Sequence, residues 1–163
     1  MQEITKAILA VMEEVKGIEK TMEIGAGKSS YKGVSDKVVK EVLRPVMMKH
    51  GLVIVPTSVI SKATTERWEA LDYYGKPTTK QSTMTETTTE YLLMHISGES
   101  ITLAGYGQGV DSQDKGAGKA TTYALKYALL YTFLIPTGKI DDADSTHSDE
   151  YEVVPGNDAL DTI

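Results

Sequence analysis

Lysines and tyrosines recur at spacings of three and four between Lys115 and Lys126, and such a pattern can bind a polyanion. The residues are Lys115, Lys119, Thr122, Tyr123 and Lys126, which at about 100° per residue share one stripe of a helix. Ammonium groups neutralise phosphates and phenol rings accept stacked bases, so an outward stripe of this kind suits single-stranded nucleic acid. The same residues also describe an ordinary solvated helix face. On the opposite side, Ala117, Ala120, Ala124, Ala128 and Tyr131 make a small apolar face, expected to dock closely against a sheet or another helix. Just upstream, Gly105, Gly107 and Gly109 read as a glycine-rich loop that permits a tight backbone path or the close approach of a ligand.

Two further places carry similar chemistry. In the loop expected over residues 25 to 34, Lys28, Tyr31 and Lys32 bring a ring and two cations within reach of a single strand. Arg44 either contacts phosphate or pairs with Asp36 or Glu41 on its own helix.

Other motifs fail on spacing. The run Gly25 to Ser30 lacks the glycine a phosphate loop needs five residues before Gly27, because Met22 stands there, and at Gly118-Lys119 both Gln113 and Ala120 break the pattern. The alternating glycines miss the dinucleotide spacing, since Val110 and Ser112 occupy the two available third positions. His50, His95 and His147 are scattered, without metal-ligand spacing. Asp141, Asp142 and Asp144 can offer oxygens to a hard cation such as magnesium, although a solvated charge run describes them as well. No cofactor is expected. A nucleotide-dependent enzyme using a glycine loop is one alternative reading, and a structural or adaptor oligomer with an acidic tail is another.

The elements that must hold the stripe follow from periodicity. Ile4, Ala7, Ile8, Val11, Val15 and Ile18 make the first twenty residues an amphipathic helix. Ser35 is placed to cap a second helix, which Pro45 should kink or end near Arg44 and Gly51 should stop. Leu52 to Ile60 reads as a strand that Pro56 demotes to an edge or a bulge. A threonine-rich hairpin follows, with arms near 65 to 73 and 82 to 97, and then a short strand from Glu99 to Gly105. Consecutive strands with short turns leave no room for parallel crossovers, so the class is α+β with an antiparallel sheet.

The chain has 163 residues, a length suited to one domain. Cysteine is absent, which removes disulfides, thiolate zinc sites and cysteine nucleophiles. Eight of the 23 acidic residues and none of the 17 basic ones lie from Asp141 onward, leaving the first 140 residues with an excess of two positive charges. The net charge of −6 is therefore the tail's and does not forbid a nucleic-acid partner. Residues 1 to 140 are read as the working domain and 141 to 163 as an acidic, flexible tail that competes for the basic groove or docks partner proteins. No signal-peptide core or run of about eighteen apolar residues occurs, so a cytoplasmic protein without a membrane partner is expected.

With these residues in view, the chain resembles the Erf (essential recombination function) family of phage single-strand annealing proteins. The resemblance covers about residues 1 to 145. It is carried by Tyr31-Lys32, by the passage from Arg44-Pro45 to Gly51-Leu52, and above all by the run from Gly109 through Asp114-Lys115-Gly116, Lys119-Ala120, Tyr123-Ala124 and Lys126-Tyr127 to Asp144. It implies a β-β-β-α core, with the N-terminal helices beside it and the long helix on the sheet. It also implies a protein that coats single-stranded DNA and anneals complementary strands without ATP, as a ring or helical filament in the bacterial host cytoplasm. Lys115, Lys119, Tyr123 and Lys126 match the family's signature and are chemically suited to DNA. Host or phage replication proteins are the partners expected for the tail.

Overall fold

The computed structural model describes residues 1–20, 22–24 and 31–138. Helix α1 (Gln2–Glu14) buries Ile4, Ala7 and Val11. Its start is tied to the sheet by Glu99, whose carboxylate accepts from the Met1 ammonium at 2.6 Å and from the amides of Gln2 and Ile4 at 3.1 and 2.8 Å. Those donors hold the Glu99 carboxyl at about 2. The helix stops earlier than its apolar period implies. Val15 turns extended and the Ile18 amide donates to the Pro136 carbonyl at 2.9 Å, so Val15 and Ile18 reach the core from extended chain.

Strands β1 (Met22–Ile24) and β2 (Tyr31–Gly33) pair antiparallel, so part of the segment expected to be loop is strand. Helix α2 (Asp36–Lys49) opens as anticipated, with Ser35 Oγ accepting from the Val38 amide at 3.2 Å. Pro45 lies inside α2 and does not end it. The carbonyl it leaves without a partner belongs to Glu41, and both residues are on the solvent side, where water can satisfy that oxygen. Gly51, at φ 68°, supplies the stop.

The sheet is an antiparallel meander of β3 (Leu52–Leu71), β4 (Pro77–His95) and β5 (Ser100–Asp111), in that order. The segment from Leu52 and the first hairpin arm are thus one long edge strand, and Pro56 is absorbed by a register shift between Pro56 and Ser58. The hairpin arms are longer than expected on the β3 side. Because β5 ends opposite Thr83, the pairs from Glu66–Ser82 to Leu71–Pro77 project beyond it as a two-stranded arm of about 20 Å. Helix α3 (Gly116–Thr132) then lies on β4 and β5. The architecture is α+β with a β-β-β-α core, as expected. Ile4, Val11, Val39, Leu43, Leu93, Leu129 and Phe133 form the centre of the core, between the three described helices and the inner face of the sheet. Among the described residues no helix is long and apolar enough to cross a membrane.

Candidate nucleic-acid interface

The floor of the interface is set by glycine. Gly105, Gly107 and Gly109 are not in a loop; they occupy alternate inward positions of β5, beneath Ala120, Ala124 and the start of α3. A methyl group on Gly107 would strike the Ala120 carbonyl oxygen and lie 2.7 Å from the Ala124 nitrogen, and one on Gly109 would lie 2.9 Å from the Ala120 nitrogen. The close approach that these glycines permit is therefore that of the α3 backbone, not of a ligand. Thr85, Thr87 and Thr89 of β4 are buried beside them, and Thr87 Oγ1 meets Ser61 Oγ at 2.8 Å. Small side chains on both surfaces let helix and sheet approach without a bulky interlayer.

This docking differs from the expected apolar stripe at its ends. Ala120, Ala124 and Ala128 are buried, whereas Ala117 and Tyr131 are exposed. Lys115 precedes the helix, and its own side chain makes no capping hydrogen bond to the first amides of α3. Those amides carry partial positive charge.

Lys115, Lys119, Tyr123 and Lys126 converge on one cleft of about 580 Å³ between the start of α2 and the first half of α3, with Asp36 and Asp114 also in its wall. Lys115 is exposed at its mouth. Lys119 is engaged within the chain, donating to the Asp111 carboxylate at 2.5 Å and to the Val110 carbonyl at 2.9 Å. That contact keeps the Asp111 carboxyl below the usual carboxylate range. Lys126 departs most from an outward stripe, being only 5% exposed. Its ammonium donates to the Val34 carbonyl at 3.1 Å and lies 4.4 and 4.7 Å from the ring centres of Tyr123 and Tyr127. Burial pushes its pKa below the usual lysine range, and the charge of Asp36 opposes that shift. The ammonium is thus held under two ring faces with a single carbonyl acceptor, and the Asp36 carboxylate in the same cleft is its nearby counter-charge.

Arg44 is not part of this cleft. It lines a separate hollow of about 400 Å³ on the outer side of α2, with Lys40, Glu41, Pro45 and Met48. Asp36 pairs with Lys40 at 2.7 Å and Glu41 with Lys37 at 3.6 Å, and among the described residues Arg44 joins no ion pair. Tyr31 and Lys32 are placed by their backbone on β2. Lys28 lies outside the described residues, as do Asp141, Asp142, Asp144 and the rest of the tail.

A feature absent from the sequence-based expectations is a ladder of tyrosines. The rings of Tyr123 and Tyr127 have centroids 5.9 Å apart and planes 12° apart, and those of Tyr127 and Tyr131 are 5.7 Å and 22° apart. They wall a second groove of about 570 Å³, faced by Tyr106 and Gln108 of β5. The signal was present as tyrosine at every fourth position, but Tyr131 had been assigned to the docking side.

The sequence model of the ERF superfamily matches residues 4–153. No curated protein matches the chain. A match that begins in α1 and runs through the sheet and past α3 spans every element that builds the cleft, and the chain belongs to the ERF superfamily.

Proposed function

We propose that this chain binds single-stranded DNA through the lysine cleft and pairs complementary strands without ATP, as a ring or helical filament of many copies. Membership of the ERF superfamily supports a role in recombination and annealing. The observation that carries the DNA reading is the convergence of Lys115, Lys119, Tyr123 and Lys126 on one cleft at the start of α3. In this reading Lys115 and the first α3 amides meet phosphate, Lys126 adds its charge from beneath the cleft, and Lys119 exchanges part of its contact with Asp111 for phosphate. Arg44, Lys28, Tyr31 and Lys32 are assigned to the path of the strand outside the cleft.

The charge balance explains why many copies are needed. Two carboxylates line the cleft beside three lysines, so one subunit offers little net attraction at physiological salt, and affinity must come from subunits sharing a strand. The process is physical rather than catalytic. Held by its backbone, a strand presents its bases to a second strand, and each correct step gains about 1.4 kcal/mol of stacking, so matched duplex wins by length. The first 140 residues are assigned this work. The acidic tail is assigned to competition for the cleft or to docking replication proteins of host or phage.

A competing reading takes the protein as a structural oligomer whose lysines serve the fold, and the Lys119–Asp111 pair favours it. Salt-dependent binding separates the two. Fluorescence anisotropy with a labelled single strand should show preference over duplex and affinity that falls steeply with salt, and Lys115→Ala should weaken binding at least threefold and flatten the salt slope. Affinity indifferent to salt and to Lys115 would assign the lysines to the fold alone.

A further inference from the structure

We propose that the groove on the far side of Tyr123 is a nucleobase site, in which the Tyr123–Tyr127–Tyr131 ladder stacks the unpaired bases of a strand whose phosphates occupy the lysine cleft. The inference rests on the DNA reading above and adds a second, chemically different half to it. Tyr123 walls both spaces, so a strand lying across it has its backbone on one side and its bases on the other. The ladder ends at Tyr131, 71% exposed, and its nearly parallel rings leave a stack that a flat heterocycle can extend.

Across the free edge of β5, on the outer face of the sheet, a further ring is fixed. Tyr106 donates from its hydroxyl to the Glu86 carboxylate at 2.8 Å and accepts from the Gln108 side-chain amide at 2.7 Å, which holds its half-exposed ring in one orientation. The groove runs round this edge strand past Ala104, Gly105, Gly107 and Ala128, and the space is about 570 Å³, within the roughly 300–1,000 Å³ of small-molecule sites. Charge decides which part of a nucleotide enters. No lysine or arginine lines this groove, so it offers phosphate no counter-charge and suits the uncharged base. Stacking occupies the face of a base and leaves its pairing edge outward, available to a complementary strand.

The test compares the full-length protein and its Tyr131→Ala and Tyr106→Ala variants, by anisotropy at fixed low salt. The probes are a labelled thymidine oligonucleotide and an abasic oligomer of equal length. The wild type is expected to bind the thymidine strand about tenfold more tightly than the abasic one. Each variant should lose most of that advantage, keep its affinity for the abasic strand and keep the salt slope, while Tyr131→Phe behaves as wild type. Equal binding of the two strands by the wild type, or equal weakening of both by the variants, would overturn the base site while leaving the lysine cleft intact. Loss of binding accompanied by a fall in particle mass would assign the groove to a second copy of the chain and overturn the inference. Failure of the wild type to bind either strand would remove the DNA reading and this inference together.

Discussion

Gly107→Ala is expected to cost about 3 kcal/mol or more of stability, because among the described glycines it is where an added methyl meets helix backbone most closely. The added carbon would meet the Ala120 carbonyl oxygen and lie 2.7 Å from the Ala124 nitrogen. Both atoms belong to helix backbone, which cannot rotate aside as a side chain does, so α3 as a whole must lift from the sheet. Overpacking a tight interior costs roughly 1–3 kcal/mol and more where the neighbours are rigid. Gly118→Ala supplies the contrast, because nothing lies within 4 Å of the position a methyl would take there. In the exposed first turn of α3 that exchange should stabilise by roughly 0.5 kcal/mol or less, below the value for a helix interior. Urea midpoints of the two variants should therefore fall on opposite sides of the wild type. Equal midpoints would mean that the helix does not rest on the glycines.

The second large effect is expected at Lys126, where stability and binding should part company. Lys126→Met removes a buried ammonium while keeping much of its volume. The change gives up the bond to Val34 but relieves the burial of a charge. Leaving the Val34 carbonyl without its donor costs about 1–3 kcal/mol and relieving the buried charge offsets much of it, so the thermal midpoint should stay within about 5 °C of wild type. Affinity for single-stranded DNA should nevertheless drop at least tenfold, since the cleft loses its central cation.

The pH dependence has a definite sign. Burial lowers the folded-state pKa of Lys126 below its ordinary 10.5, so between those two values the unfolded chain binds more protons. The penalty is fully present below the folded value and is relieved as pH rises toward 10.5. Any stability advantage of Lys126→Met should shrink over that alkaline range. A variant that is strongly destabilised yet binds DNA normally would make Lys126 a structural residue.

Much of the frame was legible because it is local. The period of α1, the Ser35 cap and the Gly51 stop depend on residues close in sequence, and all three are present. Pro56 sits as its sequence implies, beside a bulge in an edge strand, whereas Pro45 does not end α2 because its missing amide falls on the exposed side, where it costs little. The β5 glycines misled for a different reason. Strand signals rest on alternating apolar and polar residues, and from Gly105 to Val110 the inward residue is glycine each time, so the alternation reads as small against large. Paired with alanines at every fourth position of α3, that pattern was the available sign of a helix lying close on a strand.

Of the DNA candidates, Lys115, Lys119, Tyr123 and Lys126 were chosen on helical spacing, and spacing does bring them to one cleft. It could not foretell the burial of Lys126, which depends on Val34 being carried against α3 from 92 residues away in sequence. Nor could it foretell the partner of Lys119, because Asp111 becomes its neighbour only once β5 ends beside the first turns of the helix. The tyrosine ladder spans both faces that spacing had kept apart.

The most direct measurement of the central claim is annealing of complementary labelled oligonucleotides, followed by fluorescence energy transfer in the absence of any nucleotide, with light scattering on the same samples. Oligomers that accelerate pairing well above the spontaneous rate, with Lys115→Ala and Lys126→Met slowed together, are predicted. A trace that matches protein-free DNA at low salt would contradict it.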